Sequence, residues 1–193
     1  MTPVQAPRNQ TEEAFLDAAE RLLIDVGHAG VTTRSLAQTA DANQGLVHYY
    51  FGSMEALLVR VLERFTERLI ARQRAMYSAP DVPFIDKWRT AMRYLDADRE
   101  YQKVWFELQA LAWNRPELSE RVAHVNAEWR AVLTEALAEP RERFGIDMPL
   151  DALVSLVITF NVGIIQERLC GITTGHAELI EWTESWLEES DRG

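Results

Sequence analysis

The chain has 193 residues, is 47% hydrophobic and carries a formal net charge of -10, with an isoelectric point near 4.9. This length and apolar fraction suffice for one or two globular domains, and the acidity argues against non-specific binding to nucleic acid. The single cysteine, Cys170, excludes an internal disulfide and fits a reducing compartment. The N-terminal residues lack the charged, apolar and small-residue order of a signal peptide, so we expect a soluble cytoplasmic protein.

Apolar residues recur at helical spacing almost throughout the chain, and no alternating strand pattern persists. Residues 1–10, which include two prolines, are predicted to form a flexible arm. Thr11 is positioned to cap a first helix, whose apolar stripe runs from Ala14 to Val26 and which Gly27 ends. The sequence therefore predicts an all-α fold that opens with an amphipathic helix.

Two short helices with a tight turn between them are predicted within residues 32–51. Residues 35–40 and 44–50 each have room for about two turns of helix, and three residues connect them. Two helices joined by so short a turn form a helix-turn-helix, whose second helix enters the major groove of DNA. We call this second helix the recognition helix.

Capping signals support these two helices and predict a longer one after them. Thr32 and Asn43 are suitable N-caps for the two short helices, because their side-chain oxygens accept from unpaired backbone N–H groups. Asp41 stands in the turn, where the chain requires a left-handed backbone that aspartate tolerates. Ser53 is then predicted to cap a long linker helix over residues 54–77.

Four arginines recur every four residues along one face of the linker helix. They are Arg60, Arg64, Arg68 and Arg72. One interpretation is a solvated face, paired with Glu63, Glu67 and acidic residues of the first helix. The other is a ridge that faces DNA phosphates near Met54.

A loop over residues 78–83, with two prolines among small residues, is the best internal boundary in the sequence. Five further helices are predicted beyond it, with Pro116, Pro140 and Pro149 among the separators. Their predicted ranges are 84–95, 97–114, 117–138, 151–170 and 176–188. The apolar run over residues 152–165 is too short for a membrane span of ~20 residues, so we expect a buried helix and no membrane association.

The segment DANQGLVHYYFGSMEALLVRVLERF, residues 41–65, resembles the TetR family of one-component bacterial transcription regulators. The resemblance covers residues 11–65 and is carried by Gly45, Val47, Tyr49, Tyr50, Phe51, Glu55, Leu57 and Leu58. It implies a three-helix DNA-binding domain over residues 1–53. It also implies a helical ligand-binding and dimerisation domain over residues 54–193, which begins with the linker helix.

Three residues depart from the family's usual pattern. Asp41 replaces the common turn glycine, Gln44 stands where lysine or another polar residue is frequent, and Met54 replaces a lysine that often meets a DNA phosphate. Residues 1–53 also carry three arginines against six carboxylates, a net charge of -3. Few phosphate contacts predict a shallow salt dependence, since each neutralised phosphate contributes a slope of roughly -0.9. We therefore expect specific DNA binding that is weak for an isolated monomer.

The candidate DNA contacts fall into two groups. Gln44, Leu46 and His48, together with Asn43, are assigned to the base-facing side of the recognition helix. Glutamine and asparagine pair with adenine, and leucine meets the thymine methyl group. Two alternatives stay open: Asn43 as a cap only, and His48 as a phosphate contact. The remaining predicted DNA contacts are Thr32, Thr33, Arg34, Gly45 and Tyr49, of which Thr33 and Tyr49 position the protein on phosphates.

Aromatic residues concentrate between residues 84 and 130, which hold four of the six tryptophans. The segment VWFELQALAW, residues 104–113, is apolar on nearly every face and predicts a helix surrounded by protein. Aromatic rings with a few polar groups favour a pocket for a largely apolar or aromatic effector, although the rings could be simply core. Glu107 either recognises a cationic ligand or pairs with an arginine. The predicted ligand-binding residues are Trp88, Trp105, Phe106, Gln109, Trp113, Asn126, Trp129, Phe160 and Asn161.

The last two helices are predicted to form a dimer interface. Three large side chains of the last helix recur at i, i+3 and i+7, a stripe too apolar to leave in water. The predicted interface residues are Val154, Ile158, Ile165, Leu179, Trp182 and Trp186. In the TetR family these helices pair with their copies into a four-helix bundle, so the resemblance implies a homodimer. Such a dimer presents two recognition helices to a roughly palindromic operator in double-stranded DNA.

The resemblance implies a ligand-responsive DNA-binding transcriptional regulator, in the family's usual mode a repressor that a small-molecule effector releases from its operator. Two alternatives remain. The acidic first domain and Met54 favour a helical ligand-binding or scaffold protein without DNA binding, and the second alternative is a helical enzyme. The histidines lack metal-ligand spacing, Cys170 lacks a partner motif, and the chain has no glycine-rich phosphate loop. We therefore expect no catalytic residue, metal or cofactor.

Overall fold

The computed structural model describes residues 8–190, apart from the side chains of residues 8, 9 and 117. Over that range the chain is helical, with short connections and without strands, which confirms the all-α expectation. A 3-10 turn at His28–Gly30 follows the first helix. The α-helices are α1 (Arg8–Val26), α2 (Thr33–Thr39), α3 (Gly45–Phe51), α4 (Met54–Tyr77), α5 (Phe84–Ala97), α6 (Arg99–Ala112), α7 (Pro116–Arg143), α8 (Leu150–Leu169) and α9 (His176–Ser190).

Packing divides the described helices into two compact units. The first unit runs to Thr66 and also includes Glu100–His124, so it holds the helix-turn-helix, the first half of α4, and α6. The second unit comprises Glu67–Arg99 and the chain from Val125 onward, with α5, α8 and α9. This division falls inside α4, and the predicted domain boundary at residue 53 stays a prediction.

The core of the first unit anchors the recognition helix α3 by one face. Leu36 of α2 and Val47 of α3 are both fully buried. The ring of Phe15 in α1 lies 6.4 Å from the rings of Tyr50 and of Phe51, at the end of α3. Because these apolar contacts occupy one side of a seven-residue helix, its opposite side is left at the surface.

Two residues with positive φ set the turns on either side of α3. Asp41, between α2 and α3, has φ 49°, which confirms the predicted left-handed position. Gly52, between α3 and α4, has φ 76° and its N–H donates to the carbonyl of His48 at 3.0 Å. A glycine at position 52 therefore lets α4 start only two residues after α3 ends.

The starts of the long helices were predicted with mixed success. Ser53 Oγ accepts from the N–H of Ala56 at 3.0 Å, and α4 has the predicted bounds. The prediction that Thr11 caps α1 is wrong, because the helix already begins at Arg8 and Thr11 lies inside it. The part of the predicted arm over residues 1–7 lies outside the described residues.

The expectation that α6 is surrounded by protein is wrong within this chain. Val104, Leu108 and Ala112 are buried along one face, whereas Glu107 is exposed. Trp113 is 79% exposed, because α6 ends at Ala112 and the tryptophan lies in the short turn before α7. Trp113 is therefore a surface residue of the chain and not a buried lining residue of a pocket.

Pro140 does not separate two helices as predicted, because α7 continues through it to Arg143. Proline removes one backbone donor but leaves its own carbonyl as an acceptor. The Pro140 carbonyl accepts from the N–H of Phe144 at 2.9 Å, and the Pro140 side chain is buried. The helix ends shortly afterwards, at Gly145 with φ 61°.

The apolar helix α8 has the predicted length, shifted by one residue, but is more exposed than predicted. It has 20 residues, and 17% of its most apolar stretch is buried. Leu153, Val154 and Ile164 face the core, whereas Leu156 is 55% exposed. By length and composition it is the one helix among residues 8–190 that could cross a membrane. The prediction of a buried helix is wrong because one side of α8 lacks a covering layer in the single chain.

Candidate functional site

A reciprocal capping box fixes the start of α2. Thr32 Oγ1 accepts from the backbone N–H of Ser35 at 3.1 Å, and Ser35 Oγ accepts from the N–H of Thr32 at 2.9 Å. The predicted N-cap is therefore confirmed, and both polar groups of Thr32 are engaged within the protein. The sequence prediction missed Ser35, although its position three residues after a threonine is the spacing that such a box requires.

Asn43 takes the capping alternative at the start of α3. Its side-chain Oδ1 accepts from the N–H of Gly45 at 2.9 Å. A Cβ on Gly45 would lie 3.3 Å from the same oxygen, so a small residue suits this position. Gln44 holds the formal N-cap position, but its side chain makes no capping bond and is exposed. The start of α3 therefore presents the amide of Gln44 outward.

The outward face of α3 carries a row of polar and aromatic groups. Gln44, His48 and Tyr49 are exposed, the tyrosine by 65%, whereas Leu46 is half-buried. Residues four apart on a helix share a face, so Gln44 lies above His48, and Gly45 above Tyr49. This arrangement brings the predicted base-reading residues Gln44 and His48 together, with Tyr49 beside them.

The ring of His48 is held by the end of its own helix. Its Nδ1 lies 3.0 Å from the carbonyl oxygen of Gly52. The N–H of Gly52 in turn donates to the carbonyl of His48 at 3.0 Å. The two bonds fix both the ring of His48 and the backbone that leads into α4.

The outward surface of the helix-turn-helix has little positive charge. Between residues 32 and 51 the sequence contains one basic side chain, Arg34, apart from His48, and one acidic side chain, Asp41. Arg34 is exposed in the first turn of α2, whereas Thr33 beside it is half-buried. Contacts with phosphate from this surface therefore depend mainly on hydroxyl and backbone groups.

Ion pairs attach α4 to its neighbours in the first unit. Arg121 of α7 donates Nε and Nη2 to the carboxylate of Glu63 at 2.7 and 2.9 Å, and Nη1 to the carbonyl of Ala56 at 3.3 Å. Arg115 pairs with Glu55 at 2.5 Å. A backbone hydrogen bond, and then Arg115, hold the pKa of Glu55 below its usual value. The first turns of α4, which follow α3 directly, are thus fixed from the side.

The arginine row of α4 follows the ion-pair interpretation. Arg64 bonds three carboxylates of α1, Arg60 lies 3.5 Å from Glu63, and Arg72 pairs with Asp98. The predicted pairing with acidic residues of the first helix is therefore confirmed. The side chain of Arg64 is 12% exposed, so this part of the face is not solvated.

The predicted ligand-binding residues are divided between the two compact units. The first unit holds Trp105, Phe106, Gln109 and Trp113, and the second holds Trp88, Asn126, Trp129, Phe160 and Asn161. All except Trp113 are half-buried. Their assignment to one pocket stays a prediction.

Unpaired buried polar atoms mark the interior of the second unit. Oδ1 of Asn161, Oε1 of Gln73 and Nε of Arg72 are buried and have no hydrogen-bond partner among the described residues. Such atoms are costly unless another group satisfies them. Asn161 is one of the predicted ligand-binding residues, whereas Gln73 and Arg72 are not.

Glu107 lies on the rim of an open cleft in the first unit, lined also by His28, Ala29, Ala110 and Leu111. Its carboxylate is exposed and not enclosed by an apolar helix. Within residues 8–190 no group of three or more histidine, cysteine, aspartate or glutamate side chains is arranged to hold a metal ion.

The apolar surface of α8 and α9 includes most of the predicted interface. Leu179, Trp182 and Trp186 are 41%, 67% and 38% exposed, and Leu156, which was not predicted, is 55% exposed. Ile158 and Ile165 are half-buried. Val154 has no exposed surface, so it is a core residue of the chain and its assignment to the interface is wrong.

These observations define a helix-turn-helix protein with an appended all-helical body. The sequence model of bacterial regulatory proteins, tetR family, matches residues 15–61, the stretch from α1 into α4. The match covers 47 of the 193 residues, so over that stretch the chain is similar to the TetR family. The chain is 39% identical over 57 residues to the HTH-type transcriptional regulator BetI of Rhizobium meliloti (strain 1021), a match over 30% of this chain and 28% of that relative. The match thus spans less than a third of the relative's length.

Solved structures match over nearly the whole chain. A regulator structure from Rhodococcus sp. RHA1 has a TM-score of 0.74 at 19% identity and covers 94% of this chain and 95% of that one. The multidrug binding protein EbrR, complexed with imidazole, has a TM-score of 0.63 at 23% identity and covers 96% of each chain. These likenesses confirm the fold, an N-terminal helix-turn-helix domain with a C-terminal helical domain.

Proposed function

We propose that this chain is a cytoplasmic, homodimeric transcriptional repressor that leaves a palindromic operator when a small, largely apolar or aromatic molecule binds. The observation that carries the proposal is the outward face of α3, where Gln44, His48 and Tyr49 lie together on the recognition helix of a TetR-family head. A helix with amide, imidazole and phenol groups on one face suits the major groove. Because the similar proteins are named as transcriptional regulators, we propose a regulator and not an enzyme.

Binding to the promoter region of its own gene tests the DNA-binding part of the proposal. We expect specific retention of that fragment, and loss of most of the affinity in the Gln44→Ala, Tyr49→Ala double variant. A matched control is Asn114→Ala, which removes an exposed amide from the turn between α6 and α7. If the parent chain retains no promoter fragment at low salt, the scaffold alternative is the correct one.

The salt dependence of binding provides a second, quantitative test. If Arg34 is the one cation that neutralises a phosphate in each head, a dimer releases counterions from about two phosphates. The slope of log affinity against log salt concentration is then roughly -2. A steep slope, roughly -6 or beyond, would show a set of phosphate contacts outside the helix-turn-helix surface.

The effector is proposed to contact the second unit through Asn161. Its Oδ1 is buried and unpaired in the unit that also holds the predicted pocket residues Trp88 and Trp129, and the structural relative EbrR is described as a multidrug binding protein. We expect members of a panel of small aromatic molecules to quench tryptophan fluorescence and to lower operator affinity together. Asn161→Ala should weaken the quenching without changing DNA affinity in the absence of the compound. A compound that quenches but leaves operator affinity unchanged would contradict effector-driven release.

The dimer is proposed to form through the exposed side of α8 and α9. Leu156, Leu179 and Trp182 leave a large apolar area in water that a second copy would cover. Two internal contacts keep α9 in place for that role: Arg89 bonds Glu184 and Glu188 at 3.1 and 2.6 Å.

The molecular mass of two tryptophan variants, measured by analytical ultracentrifugation, tests whether the exposed side of α9 is the dimer interface. Trp182→Glu should convert the dimer to a monomer. Trp113→Glu, which alters the more exposed tryptophan of the first unit, should leave the dimer intact. Equal dissociation in the two variants would contradict this interface.

A further inference from the structure

His48 is held in one tautomer by the backbone of its own helix. A carbonyl oxygen only accepts hydrogen bonds, so the contact between Nδ1 and the oxygen of Gly52, 3.0 Å long, requires the proton on Nδ1. In the neutral ring the other nitrogen, Nε2, is then an acceptor. His48 is exposed, and its outer nitrogen therefore presents a lone pair to whatever meets the recognition helix.

The geometry around Gly52 supports this arrangement in the folded chain. Gly52 has φ 76°, a conformation that disfavours other residues, and its N–H bonds back to the carbonyl of His48. The same two residues are thus joined twice, once through the backbone and once through the ring. A side chain that is already oriented before binding loses little entropy on contact with a ligand.

We propose that His48 is a specificity-determining residue that accepts a hydrogen bond from the exocyclic amine of an adenine or a cytosine in the major groove. This inference rests on the proposed DNA-binding function. Adenine N6 and cytosine N4 are the donors that the groove offers, whereas guanine presents N7 and O6 acceptors. Phosphate oxygens are acceptors as well. A ring whose Nδ1 proton is held by Gly52 and whose Nε2 offers a lone pair suits a base amine and not a phosphate, so the proposal takes the base-contact alternative.

Operators that lack one exocyclic amine test this assignment with the parent chain. The operator is first located, and each base in a half-site is then replaced in turn. One adenine or cytosine per half-site should then be replaced by purine or 2-pyrimidinone, which lack only the exocyclic amine. We expect about a tenfold loss of affinity with the parent chain and no loss with His48→Ala.

A second variant changes the preferred base. His48→Arg should shift the preference at that position to guanine, because arginine donates to O6 and N7. Tyr49→Phe is the matched control on the same face and should leave the base preference at that position unchanged.

A guanine preference with the parent chain, or a uniform loss of affinity for all sequences in His48→Ala, would overturn the assignment. The same holds if the amine-deleted operators bind the parent chain normally. Failure of the parent chain to bind any DNA specifically would instead refute the proposed function itself, and this inference with it.

Discussion

Replacement of Arg64 by methionine should destabilise the first unit by about 3 kcal/mol. Arg64 lies on α4 and uses all three nitrogens on α1: Nε donates to Glu20 at 2.6 Å, Nη1 to Glu13 at 2.7 Å and Nη2 to Asp17 at 2.8 Å. The three acidic residues are four and three positions apart, so they share one face of α1. Burial alone lowers the pKa of the Arg64 guanidinium, but the hydrogen bonds to Glu20, Asp17 and Glu13 raise it on balance, so the cation persists.

The magnitude follows from how much each carboxylate is exposed. Glu13 and Asp17 are 59% and 63% exposed, and such pairs contribute roughly 0.5 kcal/mol each because water and salt screen them. Glu20 is 15% exposed, and a hydrogen-bonded charge of that kind contributes roughly 2 kcal/mol. Loss of Arg64 removes all three contacts and leaves three carboxylates near one another. Methionine keeps most of the apolar stem, so the cost of lost packing is small.

Urea unfolding followed by far-ultraviolet circular dichroism measures this cost at a fixed protein concentration. Three further variants test how this free energy is divided among the contacts of Arg64. Glu20→Gln should cost about 2 kcal/mol, Glu13→Gln less than about 0.5 kcal/mol, and Arg64→Lys an intermediate amount, since lysine does not form the planar fork. The reasoning is refuted if Arg64→Met unfolds within about 0.5 kcal/mol of the parent chain, or if Glu13→Gln costs as much as Glu20→Gln.

Three other changes are expected to have measurable effects. Leu36→Ala removes a fully buried side chain and should cost about 3 kcal/mol in urea unfolding, whereas Leu46→Ala, at a half-buried position, should cost less than half as much. Thr32→Ala removes the N-cap and should lower the free energy of unfolding, measured by thermal unfolding, by about 1 kcal/mol. Ser35→Ala breaks the same capping box and should lower it by a similar amount. An unchanged stability in both variants would contradict the cap. Burial raises the pKa of Tyr77 to about 12, so the stability that its protonated form contributes is complete below about pH 10 and is lost as the pH rises toward 12. Tyr77→Phe should therefore reduce the fall in the free energy of unfolding between pH 10 and 12 by up to about 2.7 kcal/mol. An unchanged fall would refute the assignment.

The helix-turn-helix was predictable because its signals are local. Thr32 as a cap, Asp41 in a left-handed turn and Ser53 at the start of α4 are each decided by one residue and its immediate neighbours. The spacing of Leu36 and Val47 then indicates which faces meet. Predictions from local backbone requirements and short apolar stripes match the structure here because the tertiary packing favours the same helices and the same buried faces.

The wrong predictions after residue 100 have separate physical causes. A helix that is apolar on most sides does not reveal by periodicity which side faces the core, so Val154 was assigned to an interface and Leu156 was overlooked. Trp113 was placed in a pocket because its residue type suggested burial, but the end of α6 at Ala112 leaves it outside. Pro140 is predicted to end a helix, but a proline near the end of a helix forfeits only one hydrogen bond, and α7 continues to Arg143.

The acidity of the chain limits how the proposed recognition surface could bind DNA. Each head has a net charge of -3 and one arginine between residues 32 and 51, so little of its affinity can come from counterion release. If the chain binds DNA as proposed, its affinity must come from fitted contacts, and we expect the ring of His48, which is held by Gly52, to be one of them. Fitted contacts on seven residues of one helix are few. A second head at a fixed spacing adds the same contacts at a high effective concentration, so dimerisation through α8 and α9 is expected to be a condition of DNA binding.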